Sequence, residues 1–132
     1  MGEVREWAVS DIPCVTNVML RLQDMVPWGS EYPATYNDHI KWLTTKYMDY
    51  TSMVFLNIQD DVCVGACGVT CELSMYPPCI KMMYEWCLWG ESAKDVSKTW
   101  VEAKKWGRSR GALYAKRSIL HANRETIKWE KL

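Results

Sequence analysis

The sequence predicts a mixed α/β fold of the α+β kind: one mostly antiparallel sheet with helices on both faces, in the order β-α-α-β-β-β-α-β-α. Three observations predict it. Two apolar stripes at helical spacing follow one another near the start, Val15, Val18, Met19, Leu22, Met25 and then Tyr36, Ile40, Leu43, Tyr47, Tyr50. Three β-rich runs come next, punctuated by Asp60-Asp61 and Pro77-Pro78. The last of these runs stops at Gly90 and opens an amphipathic helix, a crossover unit that returns to the sheet.

Each element has its own local warrant. Glu3 to Val9 reads as the first strand. Ser10-Asp11 is a helix start signal, with Pro13 in the first turn where a missing N–H costs little. Pro27 to Pro33 ends that helix, and the second runs from Tyr36 to Tyr50 with His39 and Trp42 on it. His39 reads there as a partly exposed structural residue rather than a catalytic one. Met53 to Ile58 and Val62 to Leu73 form a hairpin about Gln59-Asp60-Asp61, and Gly65 and Gly68 suit a strand with a bulge or a close backbone approach. Cys79 to Trp89 is a long strand. Ala93 to Gly107 is a helix with Val96, Trp100 and Ala103 inward and Lys94, Lys98 and Lys105 outward. Gly111 closes a loop, Ala112 to Arg117 is a strand, and Asn123 caps a final helix through Ile127 and Trp129.

Composition narrows the function classes. The 132 residues suit one domain, 1–132, and 48% hydrophobic residues argue against disorder. No apolar run is long enough to span a membrane, and the start Met1-Gly2-Glu3-Val4-Arg5 lacks a signal-peptide pattern. The expectation is a cytoplasmic protein with no membrane partner. Net charge is zero, which does not indicate nucleic-acid binding, yet residues 1–93 carry five Lys+Arg against twelve Asp+Glu, and residues 94–132 eleven against four. A basic C-terminal part suits a small polyanion or an acidic partner; a solvated helix face explains it equally. Six cysteines occur without a CxxC pair and with only two histidines, so no metal site is expected. Cys63, Cys67 and Cys71 have equal parity and would share one strand face as reduced, buried thiols. Eight Trp and one Phe leave Trp28, Trp42, Trp86, Trp89, Trp106 and Trp129 either at interfaces or standing in for Phe in the core.

The stretch Met82-Met83-Tyr84-Glu85-Trp86-Cys87-Leu88-Trp89-Gly90 carries the most chemistry. An apolar strand holds one carboxylate, then runs through Gly90-Glu91-Ser92 into a helix. A helix N-terminus gathers free backbone N–H groups and partial positive charge, which suits a phosphate. A carboxylate in an apolar strand gains a raised pKa, which suits a base near neutrality. Together they point to group transfer from a phosphate-bearing cofactor; the alternatives are a plain scaffold unit, and for Glu85 an outward strand residue or an ion-pair partner.

The order of elements and three segments resemble the GNAT family of N-acetyltransferases. Val4-Arg5-Glu6-Trp7-Ala8-Val9-Ser10-Asp11-Ile12-Pro13 is similar to the family's opening strand and helix start. Val62-Cys63-Val64-Gly65-Ala66-Cys67-Gly68-Val69 resembles its V-V-G-x-x-G strand, and Asn123 to Leu132 resembles its N-x-x-A-I-x-x-Y-x-K-L final helix. The middle of the chain looks most like divergent members encoded by tailed bacteriophages. The resemblance implies a strand that splays from its neighbour to seat acetyl-CoA. Trp86, Cys87, Leu88, Trp89, Gly90, Ser92, Ala93, Lys94 and Asn123 would contact the cofactor, Glu85 would be the base, and a small-molecule or protein amine the acceptor.

The chain also departs from the family pattern. The phosphate loop, Gly90-Glu91-Ser92-Ala93, has one Gly and an acidic side chain where the family has Q/R-x-x-G-x-G/A; Lys94 and Lys98 would compensate. Trp129 stands where many members have an acid Tyr, which leaves Tyr84 and Tyr114 as substitutes. The sequence ends at Leu132, where the family continues with further strands, so the fifth strand is expected to keep an open edge that self-association or a protein partner would fill. Two functions stand: an acetyltransferase, or a GNAT-shaped structural or assembly protein of a virion without catalysis. The first would work in the cytoplasm, a host's if phage-encoded.

Overall fold

The computed structural model describes residues 3–26, 28–29, 31–74, 79–121 and 124–132, with backbone alone for Leu120, His121 and Arg124. Six strands form one sheet in sequential order: β1 (Glu3–Glu6), β2 (Ser52–Gln59), β3 (Val62–Leu73), β4 (Lys81–Gly90), β5 (Tyr114–His121) and β6 (Arg124–Lys131). Every neighbouring pair is antiparallel except β4 and β5, which are parallel. Parallel neighbours need a crossover, and α3 (Ala93–Ser109) provides it. The helices α1 (Ile12–Gln23) and α2 (Tyr36–Met48) lie between β1 and β2 in the chain.

The sheet separates two cores. On one face Phe55, Cys67, Val69, Cys71 and Met83 pack with Trp100, Ala103 and Trp106 of α3. On the other, Val54, Leu56, Ala66 and Cys87 pack with Val15 and Val18 of α1 and Leu43 of α2. The period-two alternation of β2 and β3 is what divides them. Trp7, Trp100 and Trp106 are buried and take the place of Phe in these cores, whereas Trp28 and Trp129 are more than half exposed.

Local chemistry fixes the ends. Asp60 and Asp61 both have positive φ, the two-residue turn a tight hairpin requires. Thr35 and Asp38 close a reciprocal cap on α2, the Thr35 hydroxyl accepting from the Asp38 N–H at 3.1 Å and the Asp38 carboxylate from the Thr35 N–H at 2.8 Å. Asp11 works backwards at α1: it accepts from the Ala8 N–H at 2.7 Å and pairs with Arg5 at 2.7 Å. The first strand therefore stops at Glu6, and Val9–Asp11 form a short 3-10 turn. Gly111, at φ 85, ends α3 in the left-handed region.

The C-terminal segment corrects the sequence reading. Residues 124–131 are not a helix; they pair with β5 over eight positions, from Tyr114↔Lys131 to His121↔Arg124. Ile127, Trp129 and Leu132 make a poor helical stripe, while Ile127 and Trp129 alternate and, with the β-branched Thr126, are strong strand formers. The outer edge of the fifth strand is thus covered by β6, and a strand expected to be missing is supplied by the residues assigned to the helix. Alternation also sends Glu130 toward α3, where it meets Lys104 at 2.7 Å.

Cys63 departs from the parity expectation. The β2–β3 register jumps from Asn57↔Gly65 to Ile58↔Cys63, leaving Val64 as an extra residue. That bulge turns Cys63 onto the α1–α2 core, while Cys67 and Cys71 stay on the α3 side.

Candidate active site: a parted sheet with a carboxyl at the parting

The parallel pair β4–β5 is short. It runs only through Met82↔Tyr114, Met83↔Ala115 and Tyr84↔Lys116. From Glu85 onward β4 stays with β3 but is no longer paired to β5, so its backbone groups on that side face a gap. Two features hold the gap open. One is a bulge at Trp86, where the β3–β4 register passes from Val69↔Glu85 to Gly68↔Cys87. The other is the ring of Trp86, which lies on Gly68: a Cβ there would meet the ring at 2.5 Å. Its indole N–H donates to Thr70 Oγ1 at 3.1 Å, and Trp42 of α2 meets it edge-on at 5.0 Å. The β4 strand is thereby anchored to its antiparallel neighbour and to α2.

The gap opens into a groove of about 910 Å³. Glu85 to Gly90 line one wall, Arg117, Ser118, Ile119 and Glu125 the opposite one, and Ala93, Val96 and Ser97 of α3 one end. Met19, Leu22 and Gln23 of α1, His39 of α2 and the connection carrying Trp28 and Tyr32 complete it.

Glu85 sits one residue past the last β4–β5 pair. Burial pushes its carboxyl up to about 7. A hydrogen bond from the Ser118 backbone and the charges of Arg117 and Lys116 oppose that shift, while nearby Glu125 adds to it. Glu125 is itself held by the Ser118 hydroxyl. A carboxyl that is neutral and ionised in comparable amounts near neutrality accepts and releases protons readily.

The other end of the groove is the start of α3. Gly65 and Gly90 face each other across β3 and β4, and a Cβ on Gly90 would come within 2.6 Å of the Val96 nitrogen. The bare backbone lets the first helical turn seat directly on the sheet. This N-terminus carries its own anion. Ser92 Oγ accepts from the Asp95 N–H at 3.3 Å and donates to Asp95 Oδ2 at 2.8 Å, and the buried Asn57 donates to Asp95 Oδ1 at 3.2 Å. The Glu91 N–H is spent on the Val64 carbonyl at 2.9 Å. The amides of Ala93 and Lys94, in the first turn, have no intrahelical acceptor and are the donors left for a ligand.

Of the residues singled out from sequence, Glu85, Trp86, Cys87, Leu88, Trp89, Gly90 and Ala93 line the groove together. Ser92 serves as the cap of α3, and Lys94 is exposed beside the groove rather than in its wall. Asn123 lies outside the described residues. Trp129 is exposed on β6, opposite Lys116, and neither it, Tyr84 nor Tyr114 lines the groove. Sequence reasoning missed Gln23, Tyr32, Arg117 and Ser118 as lining residues, while His39 is partly exposed and bonded to α1, as the sequence suggested, and also borders the groove. His39 Nε2 is 3.1 Å from Gln23 Oε1, which also accepts from the Ala34 N–H at 3.0 Å. It missed Asn57 as well, though a polar residue inside the apolar run Met53 to Ile58 was a visible signal.

No family model matches the sequence, and no curated protein does. Solved structures do match in shape. A ribosomal-protein-alanine N-acetyltransferase from Brucella melitensis superposes with a TM-score of 0.70 at 12% identity, covering 89% of this chain and 74% of that one. A predicted acetyltransferase from Clostridium acetobutylicum, solved with acetyl-CoA, gives 0.68 at 9% identity over 85% of this chain and 77% of that one. A GNAT family acetyltransferase from Staphylococcus aureus gives 0.63 at 17% identity over 86% and 82%. At such identities the likeness is one of architecture, and it agrees with the sheet order, the short parallel pair and the crossover helix: this chain has the fold of the GNAT acetyltransferases.

Proposed function

We propose that this chain is an N-acetyltransferase that uses acetyl-CoA and an amine acceptor, with Glu85 as the base. The observation that carries the reading is Glu85, held at about 7 where β4 and β5 part and facing a groove of about 910 Å³. The residues fit the cofactor. The unpaired edge of β4 from Trp86 to Gly90 offers backbone donors and acceptors to an amide-bearing arm, and the Ala93 and Lys94 amides offer donors to phosphate. When bound, acetyl-CoA supplies an acetyl group activated as a thioester. The chain's own part is positioning and proton handling. A Glu85 Oε takes the proton that the substrate ammonium must lose before its nitrogen can attack. Backbone N–H groups along the open edge of β4 stabilise the negative charge that develops. Trp28, Tyr32 and His39 border the remaining space, where an amine, small or part of a protein, would enter. On this reading the enzyme acts in the cytoplasm.

A second reading rests on one observation, the Ser92–Asp95–Asn57 cluster that occupies the helix N-terminus with a carboxylate. It favours a protein that keeps the scaffold without the chemistry, which on this reading would be a virion structural or assembly protein. Calorimetry with acetyl-CoA and a thiol-release assay over a panel of amines separate the two. Micromolar binding and acceptor-dependent release support the enzyme. No heat at millimolar acetyl-CoA, no release, and a stable assembly by light scattering support the scaffold.

A further inference from the structure

We propose that β6 is an interface between two copies of this chain, which pair edge to edge about a two-fold axis at Lys128 and continue the sheet from one copy into the other. The sheet ends on β1 at one side and on β6 at the other. β1 is four residues long and carries Glu3, Arg5 and Glu6, the short, charged form that resists further pairing. β6 has eight residues, no proline, and a register against β5 without a bulge. No strand among the described residues pairs with its outer side.

The backbone of β6 has a definite phase. The Leu132 N–H donates to the Leu113 carbonyl at 2.9 Å, so the even-numbered residues turn their N–H and C=O groups to β5. Those of Glu125, Ile127, Trp129 and Lys131 point outward. The side chains of the same four residues lie on the face away from α3, because Glu130 meets Lys104 of α3 on the other. All four are exposed, Trp129 at 60% and Ile127 at 47%. Tyr114, opposite Lys131 on β5, is also exposed and extends the apolar strip.

This strip is complementary to itself. Antiparallel pairing about Lys128 sets Ile127 against Trp129 of the second copy and Glu125 against its Lys131, and the symmetry repeats both contacts. Neither Glu125 nor Lys131 has an ion-pair partner in its own chain among the described residues. Every outward N–H and C=O from Glu125 to Lys131 then finds a partner. A shift of two residues either way keeps the backbone groups facing, but sets Glu125 against Trp129 or leaves it without a partner. On the α3 face Lys128 meets its own copy, an unfavourable contact that Glu130 of each chain, diagonal to it, offsets. A contact of strand-pair size lies at the small end of interfaces, so association is expected to be micromolar. Glu125 also lines the groove, so Lys131 of the second copy would stand at its rim.

The test is sedimentation velocity of the full chain over about 5 to 500 µM, the range a small interface calls for. The parent should pass from monomer to dimer. Glu125→Lys and Lys131→Glu should each weaken association about tenfold or more, because like charges then meet at both ends. An equimolar mixture of these two variants should recover the parent's affinity as a heterodimer, since opposite charges face each other again. Ile127→Pro removes one outward N–H and none of those directed to β5, and should abolish the dimer while the chain keeps a cooperative melt. A parent that stays monomeric throughout, charge variants that associate as the parent does, a mixture that does not recover, or a dimer that survives Ile127→Pro would each overturn the proposal.

Discussion

The two ends of the groove handle a carboxylate in opposite ways. At the parting of the strands Glu85 is deprived of water and given a single backbone donor, so it holds its proton into the neutral range. At the helix start Asp95 receives the Asn57 amide and the Ser92 hydroxyl, and sits where the helix end carries partial positive charge. One carboxyl is kept reactive by withholding partners. The other is satisfied by them and fills the place of an external anion. On the proposed reading chemistry and cofactor grip are thus separable: Glu85 would remain the base while the helix start held phosphate less firmly than a bare, glycine-lined one would.

The largest expected effect breaks the first end. Glu85→Gln should lower turnover by roughly a hundredfold or more while leaving acetyl-CoA affinity by calorimetry nearly unchanged. Equal rates would remove Glu85 as the base.

The same residue makes stability depend on pH. Its carboxyl stands at about 7 in the fold against an ordinary 4.5, so the folded chain keeps a proton that the unfolded chain has released. The neutral carboxyl's contribution is full at low pH and is lost as pH rises through the interval from 4.5 to about 7, by at most about 3 kcal/mol. Denaturant melts should show Glu85→Gln more stable than the parent at pH 8 and equal to it at pH 4. A parent with a flat profile across that window would mean that the carboxyl is solvated.

The second end sharpens the comparison from the other side. Asp95→Asn keeps the shape and removes the charge, and should tighten acetyl-CoA by about tenfold at low salt, while slightly weakening the helix start. Weaker binding would show that Asp95 shapes the site rather than opposing the ligand. Smallest of all, Lys94→Ala should loosen acetyl-CoA only about two- to threefold, and less at high salt, because this side chain is exposed beside the groove. A large loss would place Lys94 on the phosphates directly.

Local signals carried most of the scaffold. The bounds of β3 and the start of α3 follow from the turn at Asp60-Asp61 and the cap at Ser92, both short-range. The strand with Glu85 was recognisable because a single carboxyl in an apolar run is a costly arrangement that local sequence displays. What escaped depends on partners far away in the chain. Whether Arg124–Lys131 is helix or strand is decided by the pairing that β5 offers, and the family resemblance pointed to the wrong element. The flip of Cys63 depends on one extra residue opposite Ile58, which no parity count reveals. Asn57 and Asp95 lie on different elements and acquire their meaning only when Gly65 and Gly90 let α3 close onto the sheet. The α1–α2 connection lines the groove through Trp28 and Tyr32, yet its sequence signals nothing beyond a loop.

Amide chemical shifts followed by NMR during acetyl-CoA titration test the central claim most directly. The account predicts saturable shifts concentrated on Trp86 to Gly90, Ala93 and Lys94, with smaller ones at Ser118 and Ile119 across the gap. No shifts at millimolar acetyl-CoA, or shifts centred away from the β4–β5 parting, would contradict it.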